Sequence, residues 1–112
     1  MQIPLQITLR GMETSTALEE SIRERAVKLE HVFDRITSCR VAVESAHGLH
    51  QHAHPYSVRV DLKVPGDEIV VHKENGEDAY TAVREAFDAA RRQLEEYARQ
   101  QRSGRHRPVL GE

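Results

Sequence analysis

The sequence predicts an α+β domain of order β-α-β-β-β-α, a four-stranded sheet with two helices packed on one face. Three observations predict it. Apolar and polar residues alternate over four short segments, the period of strands with one wet face. Two longer segments carry apolar residues at three- and four-residue spacing, the period of an amphipathic helix. The junctions hold Gly, Pro, Ser, Asn and Asp, residues that turn strands and cap helices.

In chain order, Leu5, Ile7 and Leu9 alternate with Gln6, Thr8 and Arg10, and Gly11 ends this first strand. Ser15 or Thr16 then offers a helix N-cap. Thr16 with Glu19 fits a capping box, in which each side chain satisfies a free backbone donor at the helix start. Leu18, Ile22, Ala26, Leu29 and Phe33 make one stripe, so the helix is expected to run to Phe33 or Asp34. From Ile36 to Ala46 the period returns to two, with Val41 and Val43 set against Arg40, Ala42 and Glu44. The stretch from His47 to Pro55 breaks the alternation and reads as a hairpin loop. Val58, Val60, Leu62 and Val64 then alternate with Ser57, Arg59, Asp61 and Lys63. Pro65-Gly66-Asp67 is turn chemistry, Glu68 to Lys73 a fourth strand, and Asn75-Gly76 a further turn. Asp78 is placed to cap a second helix, with Tyr80, Val83, Phe87, Ala90, Leu94 and Tyr97 on one face and an end near Gln101 or Arg102. Residues 1–101 are thus expected to form one domain, and residues 102–112, with Arg105, His106 and Arg107 before Pro108, a flexible basic tail.

Bulk composition narrows the function classes. A chain of 112 residues, 38% hydrophobic and 30% charged, supports one core. A net charge of −2 excludes a protein that coats nucleic acid through overall basicity, so any RNA contact requires segregated cations. Cys39 is the single cysteine, which excludes an intramolecular disulfide. The sequence shows neither an apolar run near the roughly 20 residues that span a bilayer nor a secretory leader. A cytoplasmic protein without membrane contact is the expectation.

The charges do segregate. At about 100° per residue, Arg84, Arg91 and Arg102 fall about 80–100° from Val83, and Arg92 and Arg99 about 160–180°. Glu85 and Glu96 lie further round. On the first helix Arg25 and Lys28 share one flank of the apolar stripe, and Arg23, Glu19 and Glu30 the other. These basic positions are the candidate RNA-binding residues. The competing reading is a solvated, self-paired helix, because Asp88 precedes Arg92 by four residues and Glu95 precedes Arg99 by four.

Other constellations fall short of a site. His50, His52 and His54, with His47 nearby, are imidazoles of the kind zinc, copper or nickel binds. A structural zinc takes four ligands, and no second ligand cluster accompanies these, so neither metal nor cofactor is expected. Cys39 in or before a strand reads as a core thiol. Neither a Gly-rich phosphate loop nor a recognisable carboxylate pair is present, so no catalytic residue is assigned and no small-molecule substrate is expected. The outer sheet face, with Arg10, Arg40, Arg59, Lys63 and His72, lacks stacking aromatics on its central strands and reads as a wet face.

Two segments carry a family resemblance. Lys28-Leu-Glu-His-Val-Phe-Asp-Arg-Ile36 resembles the helix exit of the ribosome hibernation-promoting factor and ribosome-associated inhibitor A family, also called sigma-54 modulation proteins. Asp78-Ala-Tyr-Thr-Ala-Val83 and Arg92-Gln-Leu94 resemble that family's second helix. The likeness spans about residues 3–101. It implies a non-enzymatic translation inhibitor whose partner is the small ribosomal subunit. Such a protein binds ribosomal RNA near the decoding centre and sterically blocks messenger and transfer RNA. It also implies that Arg25 and Lys28 fall on basic positions of the family's first helix, and Arg92 and Arg99 on or beside those of its second. Ala89, Glu96 and Gln100 stand where that family often has lysine, and Arg84, Arg91 and Arg102 offer compensating charge. The His-rich hairpin resembles a sub-group in which a cold-shock-like module follows, to which Arg102 to Pro108 would suit a linker. The alternative is a protein-interaction module whose basic helix face meets an acidic partner.

Overall fold

Six elements follow the expected order in the computed structural model, which describes residues 4–45, 56–75 and 78–104. They are strand β1 (Leu5–Arg10), helix α1 (Thr16–Val32), strands β2 (Ser38–Ser45), β3 (Tyr56–Val64) and β4 (Asp67–Asn75), and helix α2 (Ala79–Gly104). The strands lie side by side in sequence order, β1 parallel to β2 and the other neighbours antiparallel. Parallel pairing of β1 and β2 needs a crossover, which α1 supplies. The sheet is therefore mixed, and both helices pack with its inner face in one core.

Alternation decides which face is which. Cys39, Val41 and Val43 of β2, Val58, Val60, Leu62 and Val64 of β3, and Ile69 and Val71 of β4 are buried together under the helices. Leu18, Ile22, Ala26 and Leu29 of α1 meet them, as the stripe predicts. Each large side chain so buried contributes about 1.5–3 kcal/mol by removal from water. Phe33 caps the end of α1, its N–H donating to the Leu29 carbonyl, and the Arg35 guanidinium lies over its ring.

Several local expectations shift. Ser15 is the N-cap of α1, its hydroxyl accepting from the Leu18 N–H at 3.2 Å. That makes Thr16 the first helical residue, and Glu19 sits one place too late to close a capping box; it approaches Arg23 instead, at 4.0 Å. The second strand starts at Ser38 rather than Ile36, although Thr37 already donates to the Lys63 carbonyl. The fourth runs from Asp67 to Asn75, so Asn75 extends the strand that it was expected to end. Only Pro65 and Gly66 remain between β3 and β4, and Gly66 takes the positive φ of 77° that such a turn requires. Asp78 caps α2 as expected, its carboxylate accepting from the Thr81 N–H at 2.7 Å.

Helix α2 departs most. Its buried arc is broader and richer in alanine than the predicted stripe, taking in Ala79, Ala82, Ala86, Ala89 and Ala98 beside Val83, Phe87, Ala90, Leu94 and Tyr97. Small side chains let the helix lie close against β3, β4 and α1 at once. Tyr80, expected in the core, is instead 47% exposed, because the arc turns through Ala79 and leaves it on the flank. The helix continues through Gly104, past the expected end, so Arg102 is helical. The His-rich hairpin and residues 105–112 of the expected tail lie outside the described residues.

Candidate nucleic-acid interface

The two layers place their cations differently. On the open sheet face three basic strand residues stand in register with acidic ones: Arg10 beside Glu44, Arg40 beside Asp61 and Lys63 beside Glu68. Arg59 donates to the Asp61 carboxylate at 3.0 Å. A hollow of about 360 Å³ opens there, lined by Gln6, Thr8, Arg10, Arg40, Arg59 and Asp61.

The helix layer is different. Arg25 and Lys28 of α1 and Arg91 of α2 come together around a hollow of about 200 Å³ between the helices, with Leu29, Phe87 and Asp88. The Nε of Arg25 is buried there without a hydrogen-bond partner. Near the helix ends, Arg99 and Arg102 share a second hollow with Val32, Glu95 and Ala98. Neither Arg84 nor Arg92 lines these two hollows; both are exposed on α2. Arg84 lies near Asp78. Hydrogen bonding from the Thr81 backbone, with a smaller contribution from the Arg84 charge, holds the Asp78 carboxyl below the usual carboxylate range.

The expected ion pairs of α2 form with other partners. Arg91, not Arg99, donates to Glu95, at 3.1 Å, and Arg99 reaches back to Glu96. Asp88 and Arg92 form no pair with each other. Among the described residues, Arg25, Lys28, Arg92 and Arg102 make no ion pair within 4.0 Å. Self-pairing therefore accounts for part of the stripe and leaves the rest uncommitted. The convergence of Arg25 and Lys28 with Arg91 depends on how the helices pack, and helical wheels drawn one helix at a time could not reveal it.

Burial, and to a lesser extent the Asp61 charge, push the Cys39 thiol up to about 12, as befits a core residue. No group of three metal-ligating side chains occurs among the described residues, and the histidines of residues 47–54 lie outside them. No helix among the described residues is long and apolar enough to cross a membrane.

A four-stranded mixed sheet covered on one face by two helices, in the order β-α-β-β-β-α, defines the class of this α+β module. The chain belongs to the Sigma 54 modulation protein / S30EA ribosomal protein family, whose model matches residues 5–102. The resemblance carried by Lys28–Ile36 and Asp78–Val83 is thereby borne out. A ribosome hibernation promotion factor of Deinococcus radiodurans is 31% identical over 115 residues, covering 99% of this chain and 59% of that protein. This chain thus spans about three fifths of that relative's length. A ribosome hibernation promoting factor of Pseudomonas putida is 30% identical over 101 residues, 88% of this chain and 92% of that one. Among solved structures, a ribosomal subunit interface protein from Coxiella burnetii shares the fold. The TM-score is 0.72 at 22% identity, over 86% of this chain and 98% of that one.

Proposed function

We propose that this domain is a ribosome hibernation factor that binds small-subunit ribosomal RNA through its helix layer, near the decoding centre. It blocks messenger and transfer RNA by occupancy, without catalysis. The observation that carries the reading is the concentration of Arg25, Lys28, Arg92 and Arg102, free of ion pairs within the described residues, on the helix layer of a net acidic protein. The names of the family and its relatives supply the ribosome. The physics is ordinary for structured RNA: cations contact phosphates and 2′-hydroxyls, and shape rather than base edges provides selectivity.

Sedimentation with purified small and large subunits, separately and across a salt series, is the test. Binding is expected to the small subunit, with a log–log salt slope of about −3 to −5 for roughly four to six neutralised phosphates. Preference for the large subunit would refute the assignment. Salt-insensitive binding to an acidic protein, with no binding to either subunit, would favour the interaction-module alternative.

A further inference from the structure

We propose that the free edge of β4 pairs antiparallel with the same strand of a second copy, joining two chains in one continuous sheet about a two-fold axis at Val70. The inference rests on strand geometry and does not depend on the function proposed above.

The sheet ends in β1 on one side and β4 on the other. Strand β1 has six residues between Pro4 and Gly11, whereas β4 runs nine residues, Asp67 to Asn75, without Pro or Gly. Its register with β3 is unbroken, so no bulge twists the edge away. An edge this long and regular is a template for another strand.

The two-residue turn decides which backbone groups are free. It makes Val64 and Asp67 a hydrogen-bonded pair, and such pairs alternate along an antiparallel ladder. Ile69, Val71 and Lys73 therefore bond to β3, while Glu68, Val70, His72 and Glu74 turn their N–H and C=O groups outward. The Glu68 N–H agrees with this phase, since it donates to the Asp67 carboxylate at 2.7 Å, a side-chain stand-in for a missing strand.

Outward groups must meet outward groups, so few symmetric registers exist. Centred on Val70, the open face sets Glu68 opposite His72 and Val70 opposite its own copy. The helix side sets Asp67 opposite Lys73 and Ile69 opposite Val71. Ionic, hydrogen-bonding and apolar partners thus match at every position from 67 to 73, the kind of cross-strand pairing that stabilises a sheet. Val70, 42% exposed, is one of two large apolar side chains left exposed among the described residues, and this register covers it. Centring on Val71 instead brings Glu68 against Glu74, and centring on Ile69 sets Glu68 against Val70. A second copy is therefore the occupant that fits: the match lies in the strand read against itself. On pairing, Asp67 is released to Lys73 of the second copy, and the Glu68 N–H takes that copy's His72 carbonyl.

The helix layer accommodates the pairing. Helix α2 lies over β3 and β4. With about 4.8 Å between strands, the two α2 helices run antiparallel about 10 Å apart, an ordinary packing distance. The flank of α2 beside this edge carries Gln93, Glu96 and Gln100, which wall a hollow of about 240 Å³ next to Asp67 and Ile69. At about 100° per residue, Gln93 and Gln100 stand about 160–180° from Arg91, so the basic flank stays open in both copies.

Sedimentation velocity of the full chain across concentration tests this, with backbone hydrogen exchange followed by NMR. An interface of two strands and two helix flanks is small, so monomers should give way to dimers at about 10–500 μM. The Val70 and His72 N–H groups should exchange freely in dilute protein and become protected as dimers form. Val70→Lys, which sets two cations on the axis, should weaken association by about tenfold or more. Asp67→Lys and Lys73→Asp should each lose self-association, because like charges then face each other. An equimolar mixture of these two should form mixed dimers, since only the register centred on Val70 restores both ionic pairs. Circular dichroism checks that each variant is folded, and if Val70→Lys is not, the mixture alone decides. Undiminished association in Val70→Lys, or no recovery in the mixture of folded variants, overturns the interface. Protection of both N–H groups in the dilute monomer would mean that another part of the same chain occupies the edge, which overturns the second copy. A monomer with both groups unprotected throughout the range overturns it too and leaves the edge to a different partner.

Discussion

The Tyr97 hydroxyl donates to the Pro65 carbonyl at 2.5 Å, joining α2 to the tight turn between β3 and β4. The same ring stands edge-on to Phe33 at the end of α1, centroids 5.2 Å apart and planes at 84°. One side chain thus sets both helices in register with the sheet, and the alignment of α1 with α2 is what brings Arg25 and Lys28 opposite Arg91. Tyr97→Phe should keep the ring contact and lose the hydrogen bond, costing about 0.5–1.5 kcal/mol in urea unfolding. Tyr97→Ala should cost about 3–5 kcal/mol. Equal losses for the two variants would mean that the hydroxyl, not the ring, does the joining.

Gly11 closes β1 at a φ of 71°, where a Cβ would collide with the Ser45 carbonyl oxygen at the end of β2. Gly11→Ala suffers both left-handed strain and the clash, and should lower stability by at least about 1–3 kcal/mol. Gly66, at a φ of 77° with nothing within 4 Å of a Cβ, suffers the strain alone. Gly66→Ala should therefore cost less, and thermal melts of the two variants compare them directly.

Asp78 links pH to the start of α2. Its folded carboxyl sits below the ordinary value of 3.8, chiefly through the Thr81 backbone bond. The charged cap thus favours folding at neutral pH, and its contribution is lost as pH falls from about 3.8 through the lower folded value. Asp78→Ala should melt below the unaltered protein at pH 7, with the gap narrowing in acid. Asp78→Asn, which keeps a capping oxygen, should lie between them at pH 7.

Replacing Arg92 and Arg99 together with Ala should weaken small-subunit binding by roughly ten- to a hundredfold and make the salt slope less steep by about one to two. Replacing Arg59, which pairs with Asp61 on its own strand, and Lys63, which stands beside Glu68 on the next, should change little. A larger loss from the sheet pair would move the docking surface to the other layer.

Inhibition by occupancy must be stoichiometric. Added to cell-free translation, the protein should saturate its effect near one copy per ribosome, leave ribosomal RNA intact and be reversed by a high-salt wash. Full inhibition far below equivalence, or damage that survives the wash, would mean turnover and end the non-enzymatic reading.

The sequence by itself determined the element order, the inward face of the sheet and the stripe of α1, because a two-residue and a 3.6-residue period are local properties of backbone geometry. It also placed the candidate cations on their helices, and the segments Lys28–Ile36 and Asp78–Val83 carried the family. Tertiary structure decided what depends on neighbours. Tyr80 left the core because α2 settled on its alanine side against sheet and helix together. Glu95 paired with Arg91 rather than Arg99, although an acidic residue four places before its cation is the better local orientation. Strand register set sheet cations beside carboxylates, Arg40 beside Asp61 and Lys63 beside Glu68. The meeting of Arg25, Lys28 and Arg91 over Leu29 and Phe87 belongs to the packing of two helices that are far apart in sequence. Periodicity fixes which way each helix faces, but only burial of the shared core fixes how one slides and turns against the other.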